Sequence, residues 1–301
     1  MIHAITFSDN NYMKSARLNL ITAKKIGRAD KVKCYGPSDF DSDFVEKHKD
    51  ILSIKRGSGL WIWKPYIILK ELEKMDYGDY LMYMDAGAFY IRSIKYLQKQ
   101  MDADNTDIML SSLLLPNKHW CKRDAFILMG VDSVAAAESH QAEATYLFLK
   151  KTNNSIAFIK EWLFYAGNKQ IVDDSENILG KPNYEGFREN RHDQTILSLL
   201  AFKYGIEPYK GFSDSSEAYK FLALGEGAFF GYTKEDFIRM GLDEYNSNRY
   251  KKSKYPRIVV NARIRNQKSP VFEIEAIKCV YRTIRADIKN KKFKNEIFNS
   301  N

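Results

Sequence analysis

Cysteine is scarce: the 301-residue chain has three, Cys34, Cys121 and Cys279, far apart and without a C-x-x-C pair. That spacing argues against a disulfide framework or a thiolate zinc site and fits a reducing compartment. No apolar run approaches the roughly 18 residues that span a bilayer. The opening Met1-Ile-His-Ala-Ile-Thr-Phe-Ser-Asp lacks the basic and long apolar regions of a secretory leader. A cytoplasmic protein is expected. There is no G-x-x-x-x-G-K-[ST] and no G-x-G-x-x-G, which disfavours P-loop and dinucleotide folds, nor is there H-E-x-x-H or G-x-S-x-G. No repeat, low-complexity tract or Pro/Gly/Ser linker divides the body.

What is present suits a large buried core: 45% of residues are apolar and 28% charged. The formal net charge of +9 is unevenly spread, because Arg249 to Asn301 holds 15 basic and 4 acidic residues, a net +11. The first 248 residues are then near −2, so the body is not a general polyanion binder.

Residues His3 to Phe7 read as a buried strand, Tyr12 to Ile26 as a helix stopped by Gly27, and Lys31 to Tyr35 as a second strand. This β-α-β opening favours a parallel sheet in an α/β fold. Pro65 to Met75 reads as a helix, Tyr80 to Met84 as a central strand ending in the polar turn Asp85-Ala86-Gly87, and Asp107 to Leu113 and Ala142 to Leu149 as further strands. Asn153-Asn154-Ser155 is expected to cap a helix through Phe164. Gly167 to Asn190 reads as a long loop, a feature often functional, followed by a helix from Asp193 to Lys203. Ile274 to Ile288 mixes apolar and basic residues at helical spacing.

Four constellations can carry chemistry. Asp85-Ala86-Gly87 closes a buried strand, where open α/β sheets bind ligands and glycine permits close approach of a phosphate or ion; a turn capped by Asp85 is the plainer reading. Arg191-His192-Asp193-Gln194 opens an apolar helix, where Asp193 serves as base, nucleophile or stabiliser and His192 as metal ligand or phosphate partner, or where Asp193 is simply an N-cap. The stretch Arg56 to Tyr66 joins a glycine loop, Trp61, Trp63 and Lys64 to a helix start, suited to stacking on a base or sugar and to contact with a diphosphate, or to core packing. Trp120 to Asp124 sets Arg123 beside Asp124, which a solvated ion pair would also explain. Cys121 has only His119 close by in sequence and no third orienting group, which makes it a poor nucleophile.

These blocks, in this order, resemble bacterial glycosyltransferases of the GT-A type found in surface-polysaccharide biosynthesis (lipopolysaccharide or capsule). The matching pieces are His3-Ala4-Ile5-Thr6-Phe7-Ser8, Gly59 to Tyr66, Tyr83-Met84-Asp85-Ala86-Gly87, Lys122 to Phe126, and Arg191 to Gln194. They lie within about residues 1 to 230, and the tail is outside the match. The resemblance implies a GT-A-like, Rossmann-type mixed and mostly parallel sheet flanked by helices over 1–235, with a basic, partly helical extension over 236–301. It also implies a hexosyltransferase that moves a sugar from a nucleotide-diphosphate sugar, a UDP-sugar favoured, to a hydroxyl of a glycan or lipid-linked glycan.

By the same resemblance Phe7 and Ser8 lie against the nucleotide, Trp61, Trp63, Lys64, Ala86, Gly87, Arg123 and Asp124 border the donor, and Asp85 takes the D-x-D position. Gly87 stands where the second carboxylate is expected. Two alternatives follow: a divalent cation, Mn²⁺ or Mg²⁺, on Asp85 and His192 or water, or a diphosphate neutralised by Lys64 and Arg123 without metal. Asp193 and Gln194 resemble the helix-start pair that faces the transferred sugar, with base action giving inversion and a stabilising carboxylate giving retention.

A different class of function, a non-catalytic binder of nucleic acid or anionic surfaces, would act through the tail. Its aromatics, Tyr250, Tyr255, Phe272, Tyr281, Phe293 and Phe298, are few for base stacking, and no RNA or DNA module is present, so nucleic acid is not expected as a partner. Ile274 to Phe298 instead suits peripheral docking on the anionic inner leaflet.

Overall fold

A computed structural model describes residues 1–213, 232–264 and 269–299. The family resemblance, which runs to about residue 230, therefore extends at its end beyond the described residues.

A five-stranded sheet of order β2-β1-β3-β6-β5 forms the centre. Its strands are β1 (Ile2–Phe7), β2 (Lys31–Tyr35), β3 (Tyr80–Met84), β5 (Ile108–Pro116) and β6 (His140–Lys150). Four run in one direction and β6 runs against them, because β1 is parallel to β2 and β3 while β6 is antiparallel to β3 and β5. The molecule is thus a mixed α/β fold with a mostly parallel sheet.

The sheet forms as it does because its central strands are apolar on both faces. Along β3, Leu81 and Tyr83 point to one layer while Tyr80, Met82 and Met84 point to the other, the two-residue alternation of a pleated strand. The first layer packs on the helices Trp63–Lys74, Asn153–Ala166 and Asp193–Lys203, and the second on Met13–Lys25 and Lys95–Ala103. Pro65 sits in the first turn of its helix, where the missing N–H leaves no bond unmade. The Asn153–Ala166 helix is capped one residue earlier than its Asn-Asn-Ser sequence suggests: Thr152 accepts from the Ser155 amide, and Ser155 reciprocates. The long loop holds one short helix, Lys169–Val172.

The C-terminal segment is stitched to this body. A two-stranded sheet joins β4 (Ala88–Tyr90) to β7 (Val259–Asn261) antiparallel. Ile258 and Val259 are buried with Met82, Met84 and Tyr90. Ser15 donates its hydroxyl to the Ile264 carbonyl, and Arg257 Nε donates to Asp287 at 2.8 Å. The basic, apolar stretch lies in a helix from Val271 to Asn299, which buries Phe272, Cys279, Thr283 and Ala286 against the body. Its far face exposes Ile274, Ile277, Tyr281, Ile284 and Ile288, flanked by exposed Lys278, Arg282, Arg285 and Lys289. The side chains of Phe293 and Phe298 lie outside the described residues.

Candidate functional site

The chain leaves β1 for β2 on one side and then crosses to β3 on the other. In open α/β sheets such a reversal opens a crevice beyond the carboxyl ends of the strands. There the structure has a cleft of about 730 Å³. The end of β1 contributes Phe7 and Ser8, the turn after β3 Asp85, Ala86 and Gly87, and the start of the Asp193–Lys203 helix Arg191, His192, Asp193 and Gln194. Trp61, Trp63 and Lys64 complete one wall.

Lys64 is the electrostatic centre. Its ammonium is buried, donates to Asp193 Oδ2 at 2.5 Å and to the Ala144 carbonyl at 3.1 Å, and lies 3.6 Å from Asp85 Oδ1. Burial alone would lower its pKa, but the two carboxylates outweigh burial and hold it above the usual lysine value. Burial pushes the Asp193 carboxyl up, with Lys64 pulling against it. The Tyr83 hydroxyl, itself pushed far up by burial and by Asp85, donates to Asp85 Oδ1 at 2.5 Å. The two acids differ in access: the side chain of Asp85 is 38% exposed and that of Asp193 8%.

Backbone strain gathers at the same place. Gly57, Ser58, Gly59, Leu60 and Trp61 all have positive φ, which makes a left-handed turn of five consecutive residues. Each side-chain-bearing residue in that conformation costs about 1–2 kcal/mol. Gly57 is required sterically as well, because a β-carbon there would lie 2.4 Å from the Trp61 ring. The turn lays Trp61 against His192, ring centroids 5.5 Å apart, while Trp63 stacks on Phe7 at 3.8 Å inside the core. Of the seven non-glycine residues with positive φ among the described residues, Ser58, Trp61, His192 and Arg263 line the cleft. Strain of this kind persists where the surroundings over-determine it, characteristically at ligand sites.

Most of the residues singled out in the sequence meet here, with different partners from those expected. Asp193 is the first residue of its helix; the N-cap is His192, whose side chain makes no capping bond. Gln194 is fixed by donating to Gln141 Oε1 at 2.7 Å. Arg123 and Asp124 are not among the cleft-lining residues. They do not pair with each other either: Arg123 Nε binds Asp132 at 2.7 Å. Asp124 is fully buried and accepts from the Ile178 amide at 2.7 Å and Gln170 Nε2 at 2.8 Å, which anchors the long loop. Cys121 is buried, and burial pushes its thiol up to about 12, far from a nucleophile's range.

Sequence reasoning missed Lys55, Asn261 and Arg263, all of which line the cleft. Arg56, Arg191 and Gly57 were signalled only as neighbours of stronger features. Arg263 carried no signal, since only the pairing of β7 with β4 brings it to Gly87.

The side chains do not fit a carboxylate-held divalent ion. Such an ion needs several oxygen ligands. Asp85 is engaged by Tyr83 and Lys64, and Gly87 packs against the Arg263 backbone. His192 Nδ1 lies 2.8 Å from the Val172 carbonyl, and its buried Nε2 is 3.8 Å from Asp174 Oδ1. Among the described residues no three His, Cys, Asp or Glu side chains converge.

No protein-family model and no curated protein matches the chain. Solved structures similar to it include the apo form of mouse xyloside xylosyltransferase 1, with a TM-score of 0.39 and 10% identity, covering 70% of this chain and 84% of that one. Another is the galactosyltransferase LgtC in complex with donor and acceptor sugar analogues, with a TM-score of 0.42 and 14% identity, covering 85% of each chain. Both are glycosyltransferases by description, and at these scores the likeness bears on neither activity nor substrate.

Proposed function

We propose that the protein is a glycosyltransferase that moves a hexosyl group from a nucleotide-diphosphate sugar, a UDP-sugar favoured, to a glycan hydroxyl in bacterial surface-polysaccharide assembly. The observation that carries the reading is the Asp85–Lys64–Asp193 cluster at the sheet's carboxyl edge. It stands in a cleft also lined by Trp61 and by arginines. In sugar transfer the bond from the anomeric carbon to the diphosphate oxygen breaks and its electron pair leaves with the diphosphate. The acceptor hydroxyl oxygen forms the new bond to that carbon, and its proton passes to the departing diphosphate or to water. The sugar gains oxocarbenium character, which a fixed carboxylate stabilises. Asp85, the more accessible acid, is the group that reaches the sugar. Asp193 and Lys64 hold it in place, and the partly exposed Trp61 offers a face for stacking. A melting-temperature screen with UDP, GDP, CMP and their sugars tests this, because a ligand that binds only the folded state raises the transition. A shift with one nucleotide family, and transfer abolished in a folded D85N, is expected. No shift with any of them would overturn the reading.

The same reading places the enzyme peripherally on an anionic membrane, where lipid-linked acceptors reside. The exposed stripe Ile274, Ile277, Tyr281, Ile284 and Ile288, with four cations along one side, supports it. Antiparallel pairing with a second copy would set those cations beside each other. No helix among the described residues is long and apolar enough to cross a membrane. Of the tail aromatics, Tyr255 and Phe272 are buried, which weakens base stacking on nucleic acid. Full-length protein should sediment with phosphatidylglycerol vesicles and not with phosphatidylcholine ones, and I277E/I284E should stay in solution. Equal sedimentation of variant and wild type, or stripe-dependent dimers without vesicle binding, would refute the placement.

A further inference from the structure

Gly87, which by the resemblance stands where a second carboxylate is expected, faces an arginine. A β-carbon on Gly87 would stand 3.0 Å from the Arg263 Cα, so this turn is shaped for the close approach of a particular backbone. The Gly87 carbonyl accepts from the Arg263 amide at 2.7 Å and the Ala262 amide at 3.0 Å. Arg263 is itself held at a φ of 50°. The β4–β7 pairing on one side and the Ser15–Ile264 bond on the other hold that strained residue in place.

The Arg263 side chain is exposed at the cleft, and no carboxylate among the described residues pairs with it. Two more guanidinium groups gather near it. Arg191 and Arg56 line the same cleft, Arg191 lying over Trp120 with its Nε 3.2 Å from Glu189 and Arg56 pairing with Asp174 at 3.2 Å. Burial lowers the Arg191 pKa, with Glu189 opposing and the charges of Arg263 and Arg56 adding to the shift. Three guanidinium groups against two half-exposed carboxylates leave a surplus of positive charge, carried by Arg263, that a bound anion would offset. Of the two lysines that line the cleft, Lys64 is committed to Asp193 and Asp85, which leaves the exposed Lys55 beside Arg56.

We propose that Arg263, with Arg191 and Arg56, forms the diphosphate-binding wall of the cleft, so that guanidinium groups rather than a divalent ion neutralise the leaving nucleoside diphosphate. This rests on the nucleotide-sugar reading above. Guanidinium suits the task because it stays protonated and offers forked donors that match phosphate oxygens. The arginines form and break no covalent bond. The cleft is then incomplete without the C-terminal segment that supplies Arg263.

The test is titration calorimetry of the full chain with UDP and with GDP, once in EDTA and once with MnCl₂. The nucleotide that binds should bind equally in both, R263A should weaken it roughly 10- to 100-fold, and R263K should recover part of that loss. The melting temperature of unliganded R263A shows that the variant is folded, and R56A supplies a second variant from a separate segment. Binding that appears only with MnCl₂, or unchanged affinity in both R263A and R56A, overturns the arginine wall and leaves the transferase reading standing. Absence of nucleotide binding both in EDTA and with MnCl₂ overturns both.

Discussion

Lys64 Nζ lies 2.5 Å from Asp193 Oδ2 and 3.6 Å from Asp85 Oδ1, so one buried ammonium ties a helix start to the turn after β3. Removing one member of such a buried pair leaves an uncompensated charge, worth about 3–5 kcal/mol. K64M should lose stability on that scale in urea unfolding near neutral pH. Burial already raises the Asp193 carboxyl and Lys64 opposes that, so the variant's Asp193 rises further above its unfolded value. A raised folded pKa contributes stability that is present at low pH and lost as pH climbs through it. The deficit of K64M should therefore shrink as the solution is acidified. K64M/D193N, with both charges gone, should be more stable than K64M alone. Equal stability of K64M and wild type at pH 7 would show that the pair does not hold the site.

The left-handed turn makes a pair of opposite predictions. Ser58 has a φ of 51°, a conformation that glycine reaches without penalty, so S58G should raise stability by up to about 1 kcal/mol. G57A places a β-carbon 2.4 Å from the Trp61 ring and should cost about 1–3 kcal/mol. It should also displace Trp61 from His192, visible as a changed near-ultraviolet circular dichroism spectrum. A G57A protein with wild-type stability and spectrum would mean that the turn relaxes freely.

The parts of the fold written locally were legible in the sequence. His3 to Phe7, Lys31 to Tyr35 and Tyr80 to Met84 read as strands because each is a short apolar run bounded by turn residues, and Asp193 to Lys203 read as a helix from its length and its glycine stop. The small β4–β7 sheet was not legible, since three-residue strands have no period to detect and their partners lie some 170 positions apart. The same holds within the site. Asp85 and Asp193 were marked by where they fall on a strand end and a helix start, but Lys64 and Asp193 are 129 positions apart and nothing local announces their pairing. Two glycines announced a turn before Trp61. They did not announce that Ser58, Leu60 and Trp61 would share its handedness.

Asp124 illustrates a carboxylate whose role is set by what it anchors. It is buried and accepts the amides of Asn177's two successors, Ile178 at 2.7 Å and Leu179 at 3.4 Å. Gln170 adds a side-chain donor. D124A leaves those donors without their acceptor and should destabilise the protein by about 1–3 kcal/mol. Because the loop leads directly into Glu189 to His192, limited proteolysis between residues 173 and 190 should accelerate in the variant, and nucleotide affinity should fall less than in R263A. Unchanged proteolysis would show that the loop is held by its other contacts.

His140 gives the fold an acid-sensitive joint. It begins β6, is half-buried, and its Nδ1 lies 2.8 Å from an Arg249 nitrogen, which links the sheet to the C-terminal segment. Burial, then the Arg249 charge, lowers its pKa from 6.5 to about 4. A folded pKa below the unfolded one means that the neutral ring is favoured in the fold. Its stabilising contribution is complete above the unfolded value and is lost as pH falls from 6.5 toward 4, where the unfolded chain binds the extra proton. The slope for one such group is at most about 1.4 kcal/mol per pH unit. Urea unfolding at intervals from pH 7.5 to 4 should therefore show wild-type stability falling through this window more steeply than that of H140Q, with the two curves parallel above pH 7. Curves parallel throughout would mean that the ring protonates in the folded protein as readily as in the unfolded chain.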